Sequence, residues 1–419
     1  MRKEIIVVGG GASGLAAALA AKKEGRDVLL IEREDRLGGI LNQCIHNGFG
    51  LQVFKEEYTG PEYADKYIQE FLQSDIPYYL DTTVTNVDKL DDGFEITFSS
   101  TKTGMKKIQA DALIMSTGCY ERTRGSIIMP GDRPYGVITA GSAQRYLNID
   151  GYMVGKNVFI LGSGDIGLIM ARRMHLEGAN VLGVAELMPY SNGLTRNIVQ
   201  CLNDFDIPLF LSHTVTQVNA NKNQRLESII IQQVDKSFKP IEGTEKKFEV
   251  DTLLLSIGLI PDITLLDNLE VEKDNRTKSV KINQSYQTSV PGIFICGNSL
   301  QVHDLVDNVS LESERAGKCA SKYVLSKKIE RKTVNIIAGN NLLFVTPHYI
   351  DFASEAKNVV FQFRSKTKIA KSMLKISQKD NEIKSKRINY VVPAEMESIS
   401  IPLEEFNDLD DVVLDLEVL

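Results

Sequence analysis

An α/β fold built from two copies of one strand, glycine turn and helix, closed by a small antiparallel β-sandwich, follows from three stretches of this 419-residue sequence. The first is Ile5-Ile6-Val7-Val8, an apolar run that stops at Gly9-Gly10-Gly11-Ala12-Ser13-Gly14. The second, Val158-Phe159-Ile160-Leu161-Gly162-Ser163-Gly164-Asp165-Ile166-Gly167, repeats it. The third lies past Lys328, where glycine and alanine become scarce and short runs alternate apolar with polar residues.

Four β-branched residues ahead of a glycine make a strand buried on both faces, and the alanine-rich stretch 15–24 makes the helix that follows. Each glycine of Gly9-x-Gly11-x-x-Gly14 has its own job. Gly9 permits a tight turn, Gly11 lets the backbone approach a pyrophosphate, and Gly14 lets the helix sit close on the strand. The helix N-terminus then turns its free N–H groups toward the phosphates. A second strand over 28–31 ends in Glu32, about 20 residues downstream, where such a unit keeps the acid that bonds a ribose. A glycine turn alone also suits a loop that binds nothing. Strand, helix, second strand and acid together point to a dinucleotide.

After Glu32, the run Arg33-Glu34-Asp35-Arg36-Leu37-Gly38-Gly39 forms a second glycine-rich loop. The mix of polar, thiol and imidazole groups over 40–50, with Cys44 and His46 among them, is a poor core and suits a loop against a ligand. Pro61 near its first position opens a helix to about Ser74, with Tyr63, Tyr67, Ile68, Phe71 and Leu72 on its apolar face. Alternating strands follow over 83–87 and 94–98, then a buried run over 108–115 that reaches Thr117-Gly118.

The second copy extends beyond its glycines. A helix over 168–177 leads to Gly178-Ala179-Asn180-Val181, in step with Gly25-Arg26-Asp27-Val28. Residues 214–218 echo 83–87, and 251–258 echo 111–118, which puts Gly258 in the place of Gly118. Two copies of one unit therefore bind two dinucleotides, or descend from a unit that did. A third buried strand, over 291–296, runs into Gly297-Asn298 and precedes a helix over 307–325. Beyond it, strands are expected over 358–364, 373–377, 388–392 and 412–418, a sandwich of about ninety residues.

Composition narrows the classes. With 43% hydrophobic and 25% charged residues the chain buries substantial cores, and its length calls for two or three domains. A net charge of −7 argues against nucleic acid, and the basic cluster 384–387 suits a solvated strand edge or hairpin. Cys44, Cys119, Cys201, Cys296 and Cys319 are scattered, with no CxxC pair. This argues against a disulfide scaffold and against zinc or iron–sulfur ligation, and the five histidines add no metal spacing. The start of the chain enters a buried strand at once, with no signal peptide, and its apolar runs are too short to span a bilayer. A soluble cytoplasmic protein is expected.

These motifs, in this order over residues 1–325, resemble the two-dinucleotide-binding-domain flavoproteins, the superfamily of thioredoxin reductase and the NADH-dependent disulfide reductases. Residues 130–144 are similar to the branch that includes the FAD/NAD-binding subunits of sarcosine oxidase, dye-linked proline dehydrogenase and hydrogen cyanide synthase. Residues 37–50 and 297–307 resemble bacterial oxidoreductases that accompany glycerol-3-phosphate dehydrogenase-like proteins. The resemblance implies two Rossmann-like domains, an FAD domain over 1–120 and 260–328 with an NAD(P) domain over 121–259 inserted in it, and leaves 329–419 to the β-sandwich.

It further implies an FAD on Gly9, Gly11, Ser13 and Gly14, with Glu32 and Arg33 at the adenosine ribose. Gly39, Leu41 and Asn42 would lie beside the ribityl and flavin, Val84 at the adenine, and Thr117 and Gly118 would close the site. Gly297 and Asn298 belong to the third motif, where the family usually has Asp rather than Asn; an amide still bonds a hydroxyl. Val306 and Asp307 open a helix whose N-terminus favours the negative charge of reduced flavin. Asp304 and Asp307 are read as caps of that helix. The second copy would hold a nicotinamide dinucleotide on Gly162, Gly164, Asp165, Gly167 and Gly258. In step with Glu32 stands Ala185, and the acid, Glu186, comes one residue later. A carboxylate there repels a 2′-phosphate, which favours NADH over NADPH.

Hydride transfer between nicotinamide and flavin needs positioning rather than an acid or base. Disulfide reductases carry two cysteines, and neither of their pairs exists here. Cys44, with His46 two residues on, is either a redox thiol or a passive one lining the flavin. His303 is a weaker candidate beside the flavin. Without a dithiol, electrons leave the flavin for a quinone-like molecule, a dye, oxygen or a partner's cofactor. The expected function is an FAD-dependent NADH oxidoreductase, the electron-transfer subunit of a heteromeric dehydrogenase, in a homo- or hetero-oligomer with another redox subunit. The alternatives are an oxidase of an amine or amino acid, and an assembly subunit with a structural adenine nucleotide.

Overall fold

The computed structural model describes residues 2–327 and 331–419. Its chain divides into a first unit, Met1–Asn42, Asn47–Cys119 and Pro261–Leu419, and a second, Gln43–His46 and Tyr120–Ile260.

In the first unit Arg2–Val8 is an inner strand, parallel to Val28–Ile31 on one side and to Gly104–Met115 on the other. Ile5, Ile6 and Val7 are fully buried, as a strand covered on both faces requires. Tyr78–Tyr79 and Ile293–Ile295 extend the parallel part. The front half of Gly104–Met115 pairs antiparallel with Gly93–Ser100, which pairs with Thr82–Leu90, completing seven strands. The helix Ala12–Lys23 buries Ala16, Ala17, Ala18, Ala20 and Ala21, because small side chains let the helix Val306–Ser326 come close. A Cβ on Gly317 would lie 2.3 Å from the Ala17 carbonyl oxygen, so only glycine fits at that crossing. In the helix Gly60–Gln73, Tyr63, Tyr67 and Phe71 face inward, but Leu72 is 47% exposed. Nine residues on from Tyr63, it stands half a turn away from it.

The second unit holds five parallel strands in the order Val137–Thr139, Thr252–Leu255, Asn157–Leu161, Asn180–Glu186 and Leu209–Leu211. A three-stranded antiparallel sheet, His213–Ala220, Leu226–Gln233 and Lys246–Glu249, accompanies it. The repeat reaches fine detail. Thr82–Leu90 is bulged between Val84 and Asn86, and His213–Ala220 between Val215 and Gln217. At each bulge a threonine hydroxyl, that of Thr85 or Thr216, donates to a carbonyl of the next strand.

The C-terminal segment of the first unit packs a five-stranded sheet against a three-stranded one around Phe361, Phe363, Leu374, Ile376, Leu414 and Leu416. Two expectations need correction. The sandwich is mixed rather than purely antiparallel, since Thr333–Ala338 pairs parallel with Val412–Val418. The strand expected over 388–392 is instead Asn381–Ile388, returning from Ser372–Gln378 through a turn in which Lys379 takes φ +50°. Its exposed lysines mark it as a sheet edge, where charge discourages further pairing. Among the described residues no helix is long and apolar enough to cross a membrane.

Candidate functional site

Two cradles stand at the carboxyl ends of the parallel strands, one in each unit. In the first, Gly9 N–H donates to the Ile31 carbonyl (2.8 Å) and Ser116 N–H to that of Val8 (2.9 Å). Gly9 has φ +107°, and a Cβ there would fall 2.4 Å from the Ser116 carbonyl oxygen. A Cβ on Gly14 would lie 1.8 Å from the Gly9 carbonyl oxygen. At Gly11 the nearest atom is the Gly39 Cα, 3.9 Å away. Gly9 and Gly14 thus serve the chain's own packing, whereas the space at Gly11 is open to a ligand. No side chain caps the helix that starts there, so its first N–H groups suit a phosphate.

The second cradle repeats these bonds. Gly162 N–H donates to Ala185 (2.7 Å) and Ser256 N–H to Leu161 (2.7 Å). Cβ atoms on Gly162 and Gly167 would meet carbonyl oxygens at 2.0 and 2.5 Å, while at Gly164 the nearest atom is 3.7 Å away. Both cradles fit a pyrophosphate at the same place.

The two acids match as well. Glu32 is buried, its oxygens accepting from Gly10 N–H (2.5 Å) and Glu34 N–H (2.8 Å). Glu186 is buried likewise, accepting from Ser163 N–H (2.9 Å) and Met188 N–H (2.9 Å). The apparent slip of one residue has a physical cause. Strand Asn157–Leu161 pairs Val158 with Val181 but Phe159 with Gly183, so a β-bulge absorbs Leu182. Glu186, not Ala185, is therefore the counterpart of Glu32. Each carboxylate keeps lone pairs for a ribose hydroxyl.

The loops over the cradles differ. In the first, Gly38 N–H donates to Gly10 (2.9 Å), the Asn42 amide to the Leu37 carbonyl (2.9 Å), and Leu41 is buried. Gly39 has φ +56°, and Arg33 is largely exposed. In the second, Asp165 Oδ1 accepts from Leu194 N–H (2.8 Å) and the Asn197 amide (2.7 Å), so this acid fastens the start of the helix Thr195–Cys201. Thr117 donates its hydroxyl to the Asp262 carbonyl (2.5 Å), and nothing lies within 4 Å of a Cβ on Gly118. Gly258 repeats the positive φ of Gly118.

Several assignments change. The Ser13 hydroxyl points into the helix seam, between Cys296 Sγ (3.2 Å) and Ser313 Oγ (2.8 Å). The Val84 side chain is packed in the core. Neither Asp304 nor Asp307 caps the long helix. Asp307 accepts from Gly50 (3.0 Å), Gln52 (3.1 Å) and Val53 (2.8 Å) N–H groups, and Asp304 pairs with Arg364 (2.6 Å) and Met396 N–H (3.0 Å). The N-terminus at Val306 is thus left without a side-chain cap, as an anionic ligand group requires.

In the third motif Gly297 N–H donates to Glu312 Oε1 (2.7 Å), and Asn298 Oδ1 accepts from His303 N–H (3.1 Å). His303 Nε2 lies 3.1 Å from Glu312 Oε2, with both side chains 1% exposed. Sequence reasoning missed Glu312. Its signal was an acid on a helix face otherwise made of Val309, Ser313 and Ala316.

Cys44 belongs with the second unit, where Gln43 donates to the Gly141 carbonyl (3.0 Å) and the Gln144 side chain (3.0 Å). Its thiol lies 3.9 Å from Gln144 Oε1. Burial pushes the Cys44 thiol up to about 12, Cys296 to about 12 and Cys201 to about 11, so all three are thiols at neutral pH. His46 lies in the same short segment of that unit. Among the described residues no group of three or more His, Cys, Asp or Glu could hold a metal ion.

A family model described as pyridine nucleotide-disulphide oxidoreductase matches residues 3–313. The small chain of glutamate synthase [NADPH] from Mycobacterium tuberculosis is 24% identical, over 77% of this chain and 67% of that one. Hydrogen cyanide synthase subunit HcnB from Pseudomonas aeruginosa is 24% identical, over 70% of this chain and 65% of that one. The chain thus spans about two thirds of the length of these relatives. The structure of T. acidophilum thioredoxin reductase is similar in fold, with a TM-score of 0.64 at 21% identity, over 78% of this chain and 99% of that one. With both cradles and the third motif inside the matched region, the chain belongs to the pyridine nucleotide-disulphide oxidoreductase family, whose members are FAD-dependent NAD(P)H oxidoreductases.

Proposed function

We propose that this chain passes a hydride from NADH to an FAD held in the first cradle, as the electron-transfer subunit of a heteromeric dehydrogenase. The observation that carries the reading is the bond-for-bond match of two cradles, in a sequence whose cysteines form no CxxC pair. Bound FAD supplies the two-electron chemistry. The chain's own residues hold and orient. Gly9, Gly11 and Gly14 with Glu32 seat the FAD adenosine diphosphate, Gly39, Leu41, Asn42, Thr117 and Gly118 line its path, and Gly297, Asn298 and the helix end at Val306 meet its far end.

Gly162, Gly164 and Gly167 seat the nicotinamide nucleotide, and the Glu186 carboxylate takes its ribose and repels a 2′-phosphate, which favours NADH. Cys44, kept protonated by burial, is a passive thiol in this reading. Electrons then leave from the flavin to a partner's cofactor or a small acceptor. That the glutamate synthase small chain and HcnB are each named as one part of a larger enzyme supports the subunit role.

Anaerobic mixing with NADH while following the flavin absorbance tests the reading. Fast bleaching by NADH, slower with NADPH, is the expected outcome. Bleaching only by a small amine or amino acid would move the chain to the oxidase class, and bleaching by neither would leave the second nucleotide a structural part.

A further inference from the structure

We propose that one end of the C-terminal β-sandwich lies on a membrane surface of anionic lipid. Several stretches of chain meet at that end. Lys366 N–H donates to the Asn341 carbonyl (2.8 Å), and Ile369 and Val391 exchange two backbone bonds of 3.0 Å. Ser372, where the strand Ser372–Gln378 begins, pairs with Ile388 on one side and Val418 on the other. Leu419 N–H donates to the Lys371 carbonyl (3.0 Å). These bonds gather the exposed side chains of Lys366, Lys371 and Arg387 around Tyr390, Val418 and Leu419, which are 58, 65 and 60% exposed. Exposed apolar groups rimmed by charge mark a contact surface.

The surplus of positive charge is local. Among residues 366–387 eight are lysine or arginine and two are acids, in a chain of net charge −7. Glu417, the acid on the neighbouring strand, is taken by Lys375 at 2.8 Å. Among the described residues Lys366, Lys371 and Arg387 form no ion pair with an acid. Protection of a sheet edge explains cations on Asn381–Ile388, but Lys366 and Lys371 precede a strand that is paired on both sides. The kind of partner follows from the cations. Seven of the eight are lysine, which packed protein interfaces avoid in favour of arginine, because an ammonium group holds its water tightly. Lipid headgroups leave that water in place, and each lysine near an anionic surface strengthens binding about fivefold. Tyrosine and aliphatic side chains then enter the boundary between headgroups and acyl chains, so the chain lies on the bilayer without spanning it. The overall negative charge does not oppose this, since at about 0.1 M salt charges more than about 10 Å away are largely screened.

The test is sedimentation of the full chain with lipid vesicles at about 0.1 M salt. Vesicles of phosphatidylcholine with about one third phosphatidylglycerol should carry the chain down, and vesicles of phosphatidylcholine alone should not. Raising the salt to about 0.5 M should release it. Lys366→Gln combined with Lys371→Gln should weaken binding about 25-fold, and Tyr390→Ser about fivefold at any salt. Lys379→Gln, at the opposite end of the strand Ser372–Gln378, should leave binding within about twofold. Each substituted side chain is exposed, so folding is not at stake. No binding to the anionic vesicles, equal binding to both kinds, or as large a loss in Lys379→Gln as in the double variant would overturn the proposal. Retention on immobilised polyglutamate, under conditions where the anionic vesicles leave the chain in solution, would overturn it in favour of an acidic protein partner.

Discussion

The two cradles make the same backbone bonds around three glycines and are fastened in different ways. In the first, Glu32 ties Gly10 to Glu34, and the long helix from Val306 brings the third motif to the strand ends. In the second, Asp165 and Ser163 hold down the segment over 192–197, and among the described residues no third motif follows. What repeats is what a diphosphate needs, and what differs is what the rest of each ligand needs. The comparison also separates glycines that the chain's own packing requires from the one in each copy where a Cβ would meet no close atom.

That separation predicts the largest effects. Gly14→Ala and Gly167→Ala drive a Cβ to 1.8 and 2.5 Å from a carbonyl oxygen, and each should destabilise by at least about 3 kcal/mol. Gly11→Ala and Gly164→Ala, whose Cβ atoms would meet only ordinary van der Waals contacts at 3.9 and 3.7 Å, should stay within about 1 kcal/mol. Thermal melts of the four variants would break the comparison if all behaved alike. Next in size is ligand loss. Gly11→Val should give a folded, colourless protein, and Gly164→Val a yellow one that NADH no longer bleaches, each a loss of about 100-fold or more in affinity.

Much of this was legible in the residues. The run of β-branched residues into Gly9, and its recurrence at Gly162, specify strand, turn and helix because packing leaves no other residue at Gly14 or Gly167. The offset of Glu186 was visible but not its cause, since a bulge at Leu182 is a matter of pairing between strands and leaves no local mark. The caps assigned to Asp304 and Asp307 failed for a related reason. Acids ahead of a helix read as caps, yet their partners, Arg364 and the 50–53 backbone, lie 60 residues along the chain in one case and about 250 in the other. The sheet edge at 381–388 was half visible, its charge plain and its register not.

A smaller effect sharpens the match of the acids. Glu186→Ser should narrow the preference for NADH over NADPH by about tenfold, about 1.4 kcal/mol, by removing the charge a 2′-phosphate meets. Glu32→Ser should leave that ratio untouched and weaken FAD instead, and steady-state KM values for the two donors separate the outcomes. A common shift in both variants would mean that the acids act through the backbone bonds they share.

The smallest effect is expected at Cys44. Burial lifts its thiol to about 12, so the thiolate fraction at pH 8 is small and rises about tenfold with each pH unit up to that value. Weighed against the greater nucleophilicity of a more basic thiolate, alkylation at pH 8 should run about 10- to 100-fold slower than at an ordinary cysteine. Cys44→Ser should then change turnover by less than about twofold with every acceptor, because a hydroxyl can still reach Gln144. Rapid alkylation that also abolishes NADH-dependent reduction of a dye would show that ligand binding opens the thiol. The second unit would then carry a redox thiol in addition to the flavin chemistry proposed for the first.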